Sequence, residues 1–264
     1  MDWKLTKSLF IAVFLIMNII LLYIYYDKTT ESTYTPYSPD EQIDLSDANV
    51  EVPTYKTIEE RYNNITAFFY SFTKDDIESI KHAKDIKRKD HKIEVTLKNP
   101  LPIGNDYKTL STFVEEEILY GEEYHLAILD EHGETIEYGQ TYDDYPIYDN
   151  DQGEIVFKIK DNKVISYTQT RFNPFESGEE DSGSNIISAK KVIESLYEKQ
   201  KIKNGDRVGN LKFGFKQYIT DSKGQILSPS WKVTIERDEE VFIYYVDAIH
   251  SELKILDEQQ QQKE

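Results

Sequence analysis

The pattern of hydrophobic positions divides this chain into a short apolar beginning and a long polar remainder. The run from Ser8 to Tyr26 reads SLFIAVFLIMNIILLYIYY, with Asn18 as its one strongly polar residue. At about 1.5 Å per helical residue the run spans roughly 28 Å, which is close to the hydrocarbon thickness of a bilayer. The pattern therefore predicts a single transmembrane helix over residues 8–26.

The charges beside this run predict its orientation. Lys4, Lys7 and the terminal amine precede it, whereas Asp27 and mainly acidic residues follow it. Because basic residues favour the cytoplasmic side, residues 1–7 are predicted to lie in the cytoplasm and the C-terminal bulk outside the cell membrane. The alternative is a cleaved signal peptide, but the run is not followed by the small residues of a cleavage site, and the chain has no cysteine for a lipoprotein signal.

Asn18 lies near the middle of the predicted helix and marks one of its faces. Such a side chain is either tolerated in lipid or forms a hydrogen bond to a neighbouring helix, and the sequence leaves both interpretations open. Spacings of three, four and seven residues predict which side chains share this face. The predicted partner-binding face consists of Ile11, Phe14, Leu15, Asn18, Leu21, Leu22 and Tyr25.

The polar remainder begins with residues 27–49, whose Thr, Ser, Pro and acidic residues predict an extended tether. Short alternating runs such as Lys92–Leu97 then indicate strands, and Asn99–Pro102 is predicted to end that strand. Amphipathic runs indicate helices, most clearly Ile187–Ile202 with Ser188 as its cap. A capping-box pattern at Thr57–Glu60 predicts a further short helix.

Together these elements predict an α+β fold, in which helices pack on antiparallel sheets. Each half of the remainder holds several strands and a helix, so we expect two subdomains, at residues 50–148 and 149–257. The Gln-rich tail, residues 258–264, is predicted to be disordered.

Composition limits the classes of partner and site. The net charge is −18, with 31 basic and 49 acidic residues, so the outer part is expected to repel nucleic acid and anionic lipid headgroups. The absence of cysteine excludes disulfides and thiolate metal sites.

Candidate chemistry is sparse. The histidines do not have zinc-site spacing, and neither a nucleophile motif nor a phosphate-binding glycine loop is found. Asp149–Glu154 partly resembles a calcium loop, but its glycine comes one position early and no bidentate glutamate follows, which favours a solvated turn. A close pair of carboxylates is left open. We therefore predict no enzymatic activity, no metal and no cofactor.

Several separated motifs occur in a recognisable order. They are Met1–Lys4 with the apolar run that follows, Ala189–Tyr197, Asn204–Asp206, Ser230–Trp231, Tyr244–Val246, and a central motif within Tyr138–Ile147 formed by Gln140, Thr141, Tyr142, Asp143, Asp144, Tyr145 and Pro146. Together these motifs resemble the YycI (WalI) family.

The resemblance implies a membrane regulator of the YycG/YycF (WalK/WalR) two-component system, which governs cell-wall metabolism in low-GC Gram-positive bacteria. It implies two protein partners, the sensor kinase YycG (WalK), contacted partly through transmembrane helices, and the companion protein YycH. It also implies paired α+β subdomains with a distant likeness to PepSY modules. The sign of regulation and the assembly, as a homo- or hetero-oligomer, are left open.

A second hypothesis belongs to a different class. The acidic, Tyr-rich loop Tyr142–Tyr148 offers aromatic rings that could stack on sugars, which would suit a membrane-tethered protein that binds or modifies the cell wall. The competing interpretation is that these tyrosines pack between the two subdomains.

Overall fold

The computed structural model describes residues 7, 10, 11, 13–21, 50–53, 57–103, 107–129, 134–177, 183–250 and 254–262. The chain divides into a unit Met1–Asp44 and a compact unit Leu45–Glu264. In the first unit, residues 7, 10, 11 and 13–21 are helical. The second unit is an α+β fold with a mostly sheet core and few helices.

The helices of the second unit are short. They are α1 (Lys74–Ser79), α2 (Lys108–Glu117), a 3₁₀ turn (Gly121–Glu123) and α3 (Ala189–Glu198). The strands are β1 (Arg61–Tyr62), β2 (Ile65–Phe68), β3 (Ala83–Lys89), β4 (Lys92–Pro102), β5 (Tyr124–Leu129), β6 (Thr135–Tyr142), β7 (Tyr145–Tyr148), β8 (Glu154–Lys160), β9 (Lys163–Thr170), β10 (Ser184–Asn185), β11 (Arg207–Thr220), β12 (Gly224–Arg237), β13 (Glu240–Asp247) and β14 (Ile255–Gln262).

The main sheet has 12 strands, in the order β14-β13-β12-β11-β7-β6-β8-β9-β4-β3, with β2 paired to β12 and β5 paired to β6. Neighbours in this sheet are antiparallel except for β7 and β11, which pair in parallel at Ile147–Phe215 and Tyr148–Lys216. The short strand β7 thus joins two antiparallel parts of the sheet. The strands β1 and β10 form a separate pair.

The first core lies between α2 and the sheet part that contains β3, β4, β6, β8 and β9. Strand alternation places Ile93 and Val95 of β4 on the same face as Ile155 and Phe157 of β8, all fully buried. Against this face α2 buries Leu110 and Val114. Because Asp76 and Thr73 exchange capping hydrogen bonds, the short helix α1 begins where the chain leaves strand geometry.

The second core lies between α3 and the sheet part formed by β11, β12 and β13. Helix α3 buries Val192, Ile193 and Leu196, the stripe that its apolar spacing predicts. The indole of Trp231, 2% exposed, packs in this core and donates a hydrogen bond to the Ile187 carbonyl at 2.8 Å. Ser188 caps the helix by accepting a hydrogen bond from the Lys191 amide, as predicted.

Three local predictions are wrong. Thr57–Glu60 does not begin a helix, and strand β1 follows it at Arg61. Asn99–Pro102 does not end the strand, because β4 continues to Pro102 through a register shift after Thr96. The tail is not disordered over its described residues, because Ile255–Gln262 pairs with β13.

The two cores also do not follow the predicted boundary at residue 149. The hairpin β8–β9 lies beyond this position but completes the first core, since β8 pairs with β6 and β9 pairs with β4. Conversely, Tyr62 of β1 and Ile65 of β2 lie before it and pack in the second core. The chain therefore crosses from one core to the other more than once.

Candidate functional site at the junction of the two cores

The central motif forms the hairpin that joins the two parts of the sheet. Strand β6 ends at Tyr142, Asp143 and Asp144 form the turn with φ values of 49° and 62°, and β7 returns from Tyr145. Positive φ at both turn residues is the geometry of a type I′ hairpin, which aspartate tolerates better than most residues. The two aspartates are exposed, whereas the residues on either side of them are not.

Tyr142 and Tyr145 of this hairpin pack against the second core. The Tyr142 ring makes edge-to-face contacts with Phe175 and Phe215 at 5.5 and 5.2 Å between centroids. The Tyr145 ring does the same with Phe213 at 4.9 Å, and Tyr148 is buried. The structure thus favours packing over a sugar-stacking platform, and no geometric support for the wall-binding hypothesis comes from this loop.

Gln140 is the first residue of the motif and is 2% exposed. Its amide nitrogen donates to the Glu123 carboxylate at 2.8 Å, and its amide oxygen accepts from the Phe172 backbone N–H at 2.7 Å. Glu123 adjoins the first core, whereas Phe172 belongs to the second. The buried side chain of Gln140 therefore connects the two cores. Its amide nitrogen bonds to a residue beside the first core, and its amide oxygen accepts from a residue of the second.

Gly153 makes this approach sterically feasible. Its backbone has φ of +74°, and its carbonyl accepts the Gln140 N–H at 2.8 Å. A Cβ at this position would lie 2.7 Å from the Phe172 ring and 2.9 Å from the Gln140 amide oxygen. Both the backbone conformation and the available space therefore require glycine.

Arg171 is the second buried polar residue of the junction. It follows the last residue of β9 and precedes Phe172, so the chain passes from the first core to the second at this point. Its guanidinium donates two hydrogen bonds to the Glu123 carboxylate, one of them at 2.9 Å from Nε. Although burial opposes protonation, the bonds to Glu123 raise the pKa of Arg171 further, so the ion pair persists.

Aromatic rings and a carboxylate complete the surroundings of Arg171. The guanidinium carbon lies 3.8 Å from the centroid of the Tyr120 ring and 4.9 Å from that of Tyr70. The Tyr70 hydroxyl donates to Asp76 at 2.7 Å. Burial opposes ionisation of Asp76, but hydrogen bonds from Thr73 and Tyr70 outweigh it and lower the pKa of this carboxyl. The network thus extends from the motif hairpin to α1.

A second polar cluster lies where β7 meets β11. The Lys216 ammonium, which is nearly buried, lies 3.1 Å from the carboxylates of both Asp149 and Asp257, and 4.3 Å from the centroid of the Tyr245 ring. Gln259 of β14 also donates to Asp149 at 2.8 Å. Burial raises the pKa of Tyr245, and the neighbouring carboxylate of Asp149 adds to the effect. Asp149 is therefore paired with a lysine of β11 and an amide of β14, and is not the purely solvated turn residue that the sequence predicted.

Within the described parts of the chain, no group of three or more His, Asp or Glu side chains is placed to hold a metal ion.

The predicted partner-binding face is only partly covered by the described residues. Ile11, Phe14, Leu15 and Leu21 are helical and exposed, while Leu22 and Tyr25 lie outside the described residues. The Asn18 amide nitrogen donates to the Phe14 carbonyl, one turn earlier, at 2.8 Å. Over the residues that are described, no helix is both long and apolar enough to cross a membrane.

Sequence reasoning singled out the central motif but predicted a loop at Tyr142–Tyr148, where the structure has a turn and the strand β7, and it missed the main partners of the motif. Glu123 and Arg171 lie 48 positions apart, and neither occurs in a recognisable motif. One signal was available in the sequence: Arg171 comes at the end of a predicted strand, directly before the apolar Phe172. A charged side chain in such a buried position needs a partner of opposite charge.

Comparison with known proteins gives one family. The model of the YycI family, described as YycI protein, matches residues 38–249. Among solved structures, the chain is similar to an uncharacterized protein from Eubacterium rectale ATCC 33656, with a TM-score of 0.41, 8% identity, and coverage of 80% of this chain and 85% of that one. No curated protein matches the chain.

Proposed function

Because the chain belongs to the YycI family, we propose that it is a membrane-anchored accessory regulator of a WalK-type (YycG) sensor histidine kinase. Proteins of this family are regulatory proteins of a two-component system, and membership is consistent with a role in the WalK system. The finer proposal has two parts. The N-terminal helix contacts the kinase within the membrane, and the outer unit binds a YycH-type companion.

The observation that carries the proposal is the exposure of apolar side chains along the N-terminal helical residues. Ten of them are exposed to between 49% and 75%, and they lie all around the helix: Phe10, Ile11, Val13, Phe14, Leu15, Ile16, Met17, Ile19, Ile20 and Leu21. Leaving such side chains in water forgoes about 1.5–3 kcal/mol each. A helix that is apolar on every side is typical of a lipid-embedded segment. We therefore propose that residues 8–26 span the cell membrane, with the N-terminus in the cytoplasm.

Asn18 supports a specific face for the kinase contact. The bond to the Phe14 carbonyl occupies one amide hydrogen. The other hydrogen and the amide oxygen form no hydrogen bond with a described residue, and both suit a polar group on a neighbouring helix. A hydrogen bond of this kind in lipid is worth roughly 0.6–2 kcal/mol. A difference of about 1.4 kcal/mol between two kinase states already changes their ratio tenfold, so this contact is strong enough to regulate.

Site-specific photo-crosslinking in cells tests the contact. A crosslinker at Phe14 or Leu21 lies on the Asn18 face, and one at Ile16 or Ile20 lies about 160° away on the same helix. We expect kinase crosslinks from the first pair and a clear reduction from the second. Crosslinks of equal strength from both faces would contradict the proposal that the kinase contacts the Asn18 face. Absence of crosslinks from all four positions would contradict a contact within the membrane.

A substitution then tests the role of the amide. The Asn18→Leu variant is expected to keep its membrane insertion but to lose co-purification with the kinase and to change the output of the regulated genes. Ile20→Leu is the matched control, since it also places leucine in the apolar run but on the opposite face. If Asn18→Leu behaves like this control, the amide has no part in the contact.

A further inference from the structure

We propose that the outer face of strands β3, β4, β9 and β8 binds a phosphate ester that carries free hydroxyl groups. The face contains a cavity of about 320 Å³, at the lower end of the range for small-molecule sites. Six residues from these strands line it: Lys87, Lys89, Lys92, Glu94, Lys158 and Thr168. This site is separate from the junction and from the N-terminal helix.

Strand alternation brings the lysines to one face. In β4, Ile93 and Val95 point into the first core, so Lys92 and Glu94 point away from it. The register pairs Lys89 with Lys92, Lys87 with Glu94, and Glu94 with Thr168 across β3, β4 and β9. Lys158 comes from the next strand, β8, on the face opposite to the buried Phe157. Three strands thus contribute ammonium groups to a single cavity.

The charges of this cavity are not balanced within the described structure. All four lysines are exposed, and the structure gives none of them a salt bridge or hydrogen bond with a described residue; the charge of Lys92 does act on the Glu154 carboxyl, where it opposes the rise in pKa. Lys89 and Lys92 lie directly opposite each other, where like charges repel. The whole chain carries −18, so a cavity with four basic residues and one acidic residue is a local reversal of sign. An anion in the cavity would relieve this repulsion.

The residue types select the chemistry of that anion. A phosphate group carries close to two negative charges and three acceptor oxygens, which several ammonium groups can share. Lysine binds phosphate as a point charge, so the four ammonium groups of this cavity suit an anion of high charge density. Glu94 repels a second anion but accepts hydrogen bonds from hydroxyl groups. The acidic remainder of the surface disfavours a long polyanion such as nucleic acid.

Glycerol phosphate has this chemistry, and it is available as a soluble ester or as a lipid headgroup. The test uses the full chain in phosphatidylcholine nanodiscs, with ¹³C-methylated lysines that keep their charge. One arm adds glycerol 3-phosphate, and the other replaces part of the lipid by phosphatidylglycerol. We expect saturable NMR shifts of the Lys87 and Lys158 signals in one arm, which identifies the source. Shifts in neither arm would overturn the site.

Two double variants make the test specific. Lys89→Gln with Lys92→Gln removes the opposed pair in the cavity, and we expect at least a tenfold loss of affinity. Lys160→Gln with Lys163→Gln is the matched control, since these lysines are also directly opposed across a two-residue turn but do not line the cavity. We expect less than a twofold change in the control. Equal losses in both variants would show a general charge effect and overturn the proposal. Circular dichroism checks that both variants fold.

Discussion

Replacing Arg171 by methionine tests whether the junction holds the two cores together. Methionine keeps much of the volume but removes the ion pair with Glu123 and the contacts with the Tyr120 and Tyr70 rings. The Arg171 side chain is 8% exposed and that of Glu123 is 33% exposed. Removing one partner of a buried pair costs about 3–5 kcal/mol, and the partial exposure of Glu123 places this pair near the lower limit. With about 0.5–1 kcal/mol for each ring contact, we expect a loss of about 4 kcal/mol.

Urea unfolding of the full chain in detergent measures this loss. In a Trp3→Phe background the fluorescence of Trp231 reports the second core alone, while far-ultraviolet circular dichroism reports both cores. We expect the two transitions to coincide in the parent protein and to separate in Arg171→Met, because the cores then unfold less cooperatively. A double-mutant cycle with Glu123→Gln should give a coupling free energy of about 2 kcal/mol.

Arg237→Met provides the matched control. Arg237, the last residue of β12, donates two hydrogen bonds to the buried carboxylate of Asp206, at 2.9 and 2.7 Å, and Asp206 directly precedes β11, so this pair lies beside the second core alone. This variant should lower stability while keeping the two transitions coincident. If Arg171→Met also keeps them coincident, or if its coupling to Glu123 is below about 0.5 kcal/mol, the network does not join the cores.

Two further predictions concern single positions. Burial, with repulsion from Glu137, raises the pKa of Glu154 from 4.5 to about 7, so the folded state holds a proton over this range that the unfolded state has released. The contribution of Glu154 to the free energy of unfolding should therefore fall as pH rises from 4.5 to 7. The Glu154→Gln variant should lack this contribution and be about 1–2 kcal/mol more stable than the parent at pH 8, which urea titrations at pH 5 and 8 measure. If the free energy of unfolding depends on pH equally in both proteins, the reasoning is wrong. Gly153→Ala should cost about 2–4 kcal/mol in thermal unfolding, from both φ strain and overlap with Phe172, whereas Gly205→Ala, with a similar φ of +86° and nothing within 4 Å, should cost only about 1 kcal/mol; equal losses would show that space at Gly153 is not limiting.

Elements with strong local signals could be predicted from the sequence. The hairpin β8–β9 follows from alternating residues on either side of Asp161 and Asn162, whose φ values of 52° and 58° are those of a tight turn. Helix α3 follows from its apolar stripe and from Ser188. In each case neighbouring residues supply both the pattern and the stop signal, so no distant contact is needed to recognise the element.

Elements that depend on distant partners could not be predicted. Strand β14 is rich in glutamine and has no β pattern of its own, and it is ordered because β13 offers a free edge and Lys201 binds Glu258 at 2.7 Å. Strand β4 passes through two prolines, since a register shift after Thr96 accommodates them against β9. Local propensity predicted a break in both places, and tertiary pairing prevailed.

The candidate site shows the same division at the level of single residues. The motif predicted that Gln140, Tyr142 and Tyr145 matter together, but it gave no reason why. Their role depends on Glu123 and Arg171, which come from elements that meet only in the folded chain. A single buried polar residue whose partners are far away in the sequence, such as Gln140, adds nothing to the periodic pattern of a strand or helix.

The direct backbone connection between the two sheet parts is short, and this gives the polar network its importance. Strands β7 and β11 pair at only two register positions, in parallel. Net backbone hydrogen bonds are worth about 0.5–1.5 kcal/mol each, so this pairing contributes no more than a few kcal/mol. Removing one partner of the pair Arg171–Glu123 costs a comparable amount of free energy. The side chains of this network and the backbone pairing of β7 with β11 therefore hold the two sheet parts together with contributions of similar size.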